Sequence, residues 1–457
     1  MFNEQRIANR SYVQQAYPVR YWLFIAYCVG VPCFIRFDVT GRTHNLGLFN
    51  PWSLATMALT FGCAFLFVVL TTLERGKMIV RKVHFSSWMW LSLLLIFSIS
   101  TILEPNFVVQ AKPATDLYLS FYRLAEWVLG FVLFLSLYSR EPLATSVDMA
   151  IGIVARICWI WIAIVWIVLP VAPSYAYSYS ADDASSAITY SRLGGSLTSP
   201  GVLAICAGIA CFHAITCLSG TKRVVLFSIA AVSLLLTYVR GEEIAITLSL
   251  IIYAMFFARG TARMFGMLAV ILGATVVAAY WQAIILYMGR GNGVGNIATL
   301  SDRTNVWEAA FKAFWIRPYI GYGYVAGVKG ALRDNWRFAY WVPPHAHNDW
   351  IQALVSGGIL GGTLLVCIYG RAFYSAISIA SEGPKYMFFF FALFQLAVGA
   401  FLGPLVTQSF GSLAAIFLVS FVVVNDHYVL RSSRPNGAGQ LAGPLYTLRK
   451  RDVGSAR

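Results

Sequence analysis

Charge is what this sequence has least of. Asp, Glu, Lys and Arg together make up 12% of its 457 residues, while 59% are hydrophobic and the mean hydropathy is +0.69. Such a composition excludes an ordinary soluble globular domain, in which roughly a quarter of the residues are charged. Acidic residues are scarcer than basic ones, 19 against 34, giving a net charge of +15. The cations are dispersed through short segments between apolar runs and form no stripe, so nucleic acid is excluded as a partner. Cysteine patterning is missing too. The eight cysteines (28, 33, 63, 158, 206, 211, 217 and 367) lie within or at the ends of apolar segments, without a C-x-x-C pair, so neither disulfides nor a metal site is expected. No internal repeat is visible. The polar stretch 1–20 and the apolar segment leading into Pro32 offer no convincing small-residue cleavage site, so the first helix is expected to be retained.

What the chain does contain is long apolar runs. Stretches of roughly 17–25 residues, each able to cross about 30 Å of hydrocarbon as a helix, recur from Tyr21 to Val429. Spans are expected at 21–35, 51–73, 85–102, 117–138, 157–172, 201–219, 224–239, 243–258, 264–288, 350–369, 386–404 and 411–429. The expected fold is therefore all-α: a polytopic membrane protein of about twelve transmembrane helices. With the N-terminus cytoplasmic, the basic clusters around Arg75–Lys82, Lys222–Arg223, Arg259–Arg263 and Arg449–Arg451, together with Arg156, fall on the cytoplasmic side. The opposite orientation breaks the positive-inside bias at every short basic loop. Both termini are thus expected inside, as a tail 1–20 and a basic tail 430–457. The helices fall into two groups, 21–288 and 350–429, separated by a long loop, 289–349, on the outer side.

That loop is the unusual segment. Long loops in compact domains are commonly functional or disordered, and this one is rich in aromatics, among them Trp307, Phe311, Phe314, Trp315, Tyr319, Tyr322, Tyr324, Trp336, Tyr340 and Trp341. Within it, apolar residues at 306, 307, 310, 311, 314 and 315 keep a helical spacing and stop before Pro318. The pattern predicts an amphipathic helix near the membrane interface. Gly321 and Gly323 are read as backbone geometry, because no strand precedes them as in a phosphate-binding fingerprint.

The loop closes on His345-Ala-His347-Asn348-Asp349, directly before the small-residue run Ser356-Gly-Gly-Ile-Leu-Gly-Gly362. A histidine at a helix entrance tends to stay neutral, and a neutral imidazole can accept a proton. His347 is the candidate base. His345, held in an extended stretch by Pro343 and Pro344, is the alternative. A competing reading makes His347 or Asn348 simply the helix cap. Arg240, Arg303, Arg290 and Arg192 are expected on the same outer side, where arginines at the lipid boundary suit a diphosphate, though headgroup snorkelling accounts for each one singly. Glu242 and Glu243 are read as helix-start acids or as an ion pair with Arg240, and Arg123 and Glu126 as a buried pair within one helix.

In the order and context of these elements the chain resembles the O-antigen ligase and polymerase family of bacterial envelope glycosyltransferases. The resemblance is carried by Arg192-Leu-Gly-Gly-Ser-Leu-Thr-Ser-Pro-Gly, Arg240-Gly241, Asp302-Arg303-Thr-Asn-Val-Trp307, Pro318-Tyr-Ile-Gly321-Tyr-Gly323, and His347-Asn348-Asp-Trp-Ile-Gln352 running into Gly357-Gly358-Ile-Leu-Gly361, over residues 190–370. It implies an inner-membrane enzyme with a periplasmic active site and no metal or other cofactor. By that resemblance the enzyme moves a glycan, with inversion, from undecaprenyl diphosphate to an acceptor sugar hydroxyl. The acceptor would be a growing glycan or a lipid-A core, and a chain-length regulator is a candidate partner. His347 would be the base, Arg240 and Arg303 the diphosphate ligands, and Asn348, Arg192, Arg290 and His345 supporting residues. Polysaccharide polymerase is favoured slightly over ligase. Two departures stand out: Val239 occupies a position where the family often has Ser, and the acidic pair at 242–243 is not part of the pattern. The rival function is a lipid-linked sugar transporter or flippase, which needs ionisable sites inside the bilayer and related halves.

Overall fold

The computed structural model describes residues 19–30, 51–75, 85–103, 115–138, 143–179, 191–195, 197–257, 260–283, 303–337, 343, 345–380 and 383–401. The expected span 411–429, the whole tail 430–457, residues 1–18 of the other tail, and Arg290 lie outside them.

The protein is an all-α integral membrane protein. Its first five helices are α1 (Val19–Gly30), α2 (Pro51–Arg75), α3 (Phe85–Leu103), α4 (Thr115–Tyr138) and α5 (Leu143–Val171). A single turn, α6 (Pro173–Ala176), leads into the only strands among the described residues. These are β1 (Tyr177–Tyr179) and β2 (Ser191–Leu193), antiparallel with Ser178 opposite Arg192. The bundle continues with α7 (Pro200–Cys217), α8 (Gly220–Leu236), α9 (Arg240–Ile252, prolonged by a π-turn Tyr253–Phe257) and α10 (Thr261–Ala279). Then come α11 (Arg303–Ile316), α12 (Ala326–Asn335), α13 (Asp349–Ala380) and, after a 3-10 turn at Pro384–Tyr386, α14 (Met387–Gly399).

Apolar composition explains the exposure pattern. Leu73, Ile102, Ile167, Phe256 and Leu272 all point outward, which is stable only against lipid. The centre is α7, in which every residue from Leu203 to Phe212 is buried. It starts where Ser199 caps it through Oγ, accepting from Val202 N–H at 3.2 Å, with Pro200 in the first turn. Its Ala204, Ala207, Gly208 and Ala210 let neighbouring helices approach closely.

Two expectations need correction. The helix holding the span expected from 157 begins at Leu143 and its apolar window at Val147, so Arg156 lies inside α5 with its guanidinium over the Tyr21 and Trp22 rings, 5.2 and 5.6 Å from the centroids. Asp148 and Arg156 interrupt the apolar run, which conceals a helix that packing against α1 continues. The span expected over 350–369 is also not one straight helix. Gly358 has φ 65° and ψ −162°, a conformation open in practice only to glycine, and divides α13 into two arms. On a straight helix Trp350 and Tyr369 would stand roughly 28 Å apart. Their rings are 4.7 Å apart. A Cβ on Gly362 would collide with Leu354, and one on Gly361 would come within 3.1 Å of the Ala353 carbonyl. The arms therefore fold back on each other as a helical hairpin, and the glycine run expected to continue a helix is its tip.

The Arg317–Tyr324 segment clasps that tip. Ile359 N–H donates to the Pro318 carbonyl at 2.7 Å, Tyr322 N–H to Val355 at 2.9 Å, and Gly323 N–H to Ser356 at 3.0 Å. From α3, Ser100 Oγ donates to the same Ser356 carbonyl, and Thr101 Oγ accepts from Tyr324 N–H. Gly321 and Gly323, with φ of 76° and 94°, lie against the backbone of the tip and of α3, so the reading of these glycines as backbone geometry holds.

Candidate active site

The expected amphipathic helix is present as α11, with Val306, Ala309, Ala310, Ala313 and Phe314 buried, while Trp315 and Ile316 are exposed. Its buried face forms a second small core with Tyr322 and Val328, with Ala346 between the two histidines, and with Ile351 and Val355 of the first hairpin arm. Trp307 fastens this core to the loop end by donating its indole N–H to the Ala346 carbonyl at 3.1 Å. On the other side Ala346 N–H donates to Gln352 Oε1 at 2.9 Å. Arg303 lies one helical turn before Trp307, so the contact that fixes the histidine turn also brings Arg303 towards it.

His347 sits on that turn with φ 51°, the left-handed region. For a residue with a Cβ this conformation costs on the order of 1 kcal/mol or more and must be held by its surroundings. His347 N–H donates to His345 Nδ1 at 3.2 Å, and the two imidazoles lie 4.0 Å apart, centroid to centroid. With Nδ1 accepting, the neutral His345 ring carries its proton on Nε2. Both rings are held neutral. Burial, then His345 and then Arg303 depress His347 to about 2, and burial followed by Arg303 depresses His345 to about 4. Electrostatically, His345, His347 and Arg303 form one group.

Asn348 is the helix cap. Its Oδ1 accepts from Trp350 N–H at 3.0 Å and from Ile351 N–H at 3.1 Å. The capping reading is thus correct for Asn348. The buried Asp349 donates its backbone N–H to the Ala400 carbonyl at 2.7 Å, fixing the turn to the end of α14.

Arg240 is the first residue of α9, after a turn in which Tyr238 has φ 51°. Arg192 donates from Nε to the Thr237 carbonyl at 3.1 Å, so the β-hairpin supports the turn that presents Arg240. Arg192 stands beside Arg240 in this sense. Arg123 and Glu126 form the expected pair within α4, 2.8 Å apart, with Glu126 fully buried.

Sequence reasoning missed Gln395 and the contacts made by Glu242 and Trp307. Glu242 is buried in the first turn of α9, and its Oε2 accepts from Gln395 Nε2 of α14 at 2.9 Å. Gln395 also donates to the Ile205 carbonyl of α7 at 3.4 Å. These partners are more than a hundred residues apart, so no local pattern signals them. The sequence shows Trp307 as an apolar position of a helical stripe and as part of the Asp302–Trp307 element, but not as the donor to Ala346.

Residues 225–366 match the model of the O-antigen ligase family. The resemblance read from the sequence is borne out, and Arg240, Arg303, His345, His347 and Asn348 all fall within the matched region. Arg192 lies outside it. The chain is also 29% identical over 110 residues to the exopolysaccharide production protein ExoQ of Rhizobium meliloti (strain 1021). That match covers 23% of this chain and 25% of the relative, so it spans about a quarter of the relative's length.

Proposed function

We propose that this protein is an inverting, metal-independent glycan transferase of the O-antigen ligase and polymerase type, acting on the periplasmic face of the inner membrane. The observation that carries this reading is the strained, neutral His347 beside Arg303, on a turn clamped from both sides by Trp307 and Gln352. The donor is a glycan on undecaprenyl diphosphate, and the acceptor is a sugar hydroxyl of another glycan or of a lipid-A core. The likeness to an exopolysaccharide production protein supports polymerase over ligase. The topology that fits this role has about twelve spans with both termini cytoplasmic and 289–349 outside. In it, the second arm of α13 is a crossing helix and the first arm lines the site.

His347 takes the proton from the acceptor hydroxyl as that oxygen bonds to the anomeric carbon. The bond from that carbon to the diphosphate oxygen breaks on the opposite face, the diphosphate keeps the electron pair, and the configuration inverts. Arg303 and Arg240 hold the leaving diphosphate, whose growing charge is where fixed cations act most strongly. Arg303 links the two events. Alone it depresses the proton affinity of His347, but a diphosphate bound to it cancels that effect, so the base strengthens when donor is present.

The test is glycan transfer by purified protein in lipid vesicles containing undecaprenyl-diphosphate-linked repeat units. His347→Ala should abolish transfer, and Arg303→Ala should weaken donor binding and turnover together. Near-normal turnover by a folded His347→Ala protein would sink the assignment. Polymer growth without a lipid-A-core acceptor identifies a polymerase; transfer that requires that acceptor identifies a ligase.

A further inference from the structure

The two halves of the proposed site come from distant parts of the chain. The turn bearing His347 ends at Asp349, whose N–H is held by the Ala400 carbonyl at the end of α14. Arg240 begins α9, which packs along α14 with Tyr253 and Phe257 against Phe391 and with Glu242 against Gln395. α14 is therefore the common support. Gln395 lies five residues before Ala400, about 7.5 Å along the helix, and Glu242 lies two residues after Arg240. The Gln395 side chain also reaches the Ile205 carbonyl, passing Gly208 of α7, where an added Cβ would lie 2.7 Å from the Gln395 amide carbon. α7, α9 and α14 are thus joined at one buried amide, next to the two segments that carry the proposed chemistry.

Building on the glycan-transferase reading, we infer that Glu242 and Gln395 are positioning residues that fix Arg240 relative to His347 through the shape and hydrogen bond of the Glu242 side chain, not through its charge. Both side chains are buried, and among the described residues Glu242 meets a neutral amide. A buried carboxylate that receives an amide N–H is fixed in place by that hydrogen bond and by its packing. Among the described residues Gln395 Oε1 accepts no hydrogen bond, and the amide introduced by Glu242→Gln keeps an oxygen that can accept from Gln395 Nε2.

The experiment compares Glu242→Gln, Glu242→Ala, Gln395→Leu and the double variant Glu242→Ala/Gln395→Leu with His347→Ala as reference. Each is purified as the full chain, and steady-state kinetics are expressed per folded molecule. Glu242→Gln should turn over within about threefold of the parent, the value of a hydrogen bond kept with altered strength. Glu242→Ala and Gln395→Leu should each lower kcat by roughly ten- to a hundredfold and raise the donor KM, leaving the acceptor KM unchanged, because small displacements of an aligned group cost that much. The double variant should lose no more than the worse single one. The inference is overturned if Glu242→Gln is as inactive as His347→Ala, if the single losses multiply in the double variant, or if the alanine variant merely folds less well with unchanged kinetics. Should Glu242→Ala not fold at all, Gln395→Leu and Glu242→Gln decide the question by the same criteria. Transfer by His347→Ala would strike at the reaction itself, a failure distinct from these.

Discussion

Trp307 and Ala346 are tied across thirty-nine positions of sequence by one hydrogen bond, indole N–H to carbonyl, at 3.1 Å. The bond lies on the residue between His345 and His347, and its donor stands one turn along α11 from Arg303. Replacing Trp307 by Phe keeps the apolar face of α11 in place but removes the donor, at about 1 kcal/mol of local stabilisation. The expected result is a folded protein whose kcat for glycan transfer falls roughly tenfold, since the imidazole loses its alignment more than the core loses its packing. An unchanged kcat in Trp307→Phe would show that the His347 turn is held without this contact.

The pH dependence follows from the two histidines. His347 is depressed to about 2 by burial, His345 and Arg303, and His345 to about 4 by burial and Arg303, both below the ordinary value of 6.5. The base is already unprotonated at neutral pH, so kcat/KM should stay flat from about pH 8 to about pH 5 with no step near 6.5. The sign for stability is the reverse of a salt-bridged histidine. Below about 6.5 the unfolded chain binds protons that the folded one refuses, so the histidine contribution is complete above that value and is lost as the pH falls towards 4 and then 2. A pH–rate profile of the parent, together with Arg303→Gln, tests both parts. The variant should shift the acidic limb of free enzyme upward, because a cation that repels the imidazolium has gone.

Much of this arrangement was written locally in the sequence. The helix over 303–316 was legible because its apolar residues recur at three and four, and Asn348 as a cap because its side chain satisfies amides only two and three residues away. Gly321 and Gly323 likewise announced tight backbone. The hairpin at Gly358 was not legible, because an apolar run reads the same whether its helix crosses straight or folds back. The fold-back depends on a clasp formed by residues 317–324 and by Ser100 and Thr101 of α3. The start of α5 was obscured by Asp148 and Arg156, whose charges are met by Lys385 and by the rings of Tyr21 and Trp22, all remote in sequence. Glu242 looked like a helix-start acid for the same reason: its partner Gln395 is 153 residues away.

Gly358 and Gly370 make a matched pair within α13. At Gly358 the backbone is left-handed, and an added Cβ would collide with the Tyr319 carbonyl, so Gly358→Ala should cost on the order of 3 kcal/mol and open the tip of the hairpin. Gly370 is helical and exposed, with nothing within 4 Å of an added Cβ, so Gly370→Ala should be neutral or stabilising by up to about 1 kcal/mol. Thermal unfolding of the two variants in detergent gives the comparison. Equal effects would contradict the fold-back at Gly358.

Asn348 separates support from chemistry. Its Oδ1 accepts two amide hydrogens of the first turn of α13, and its residue follows His347 directly. Asn348→Asp keeps the acceptor and adds a charge that a helix N-terminus favours, whereas Asn348→Ala leaves two amides without it at about 1 kcal/mol. If Asn348 only caps, Asn348→Asp should retain stability and most transfer activity, and Asn348→Ala should lose both in proportion as the turn frays. If its amide instead contacts substrate, Asn348→Asp will fold normally yet transfer poorly, because a carboxylate placed beside a diphosphate repels it. Measuring unfolding temperature and kcat on both variants separates these outcomes. The two amide contacts of Oδ1 favour the first.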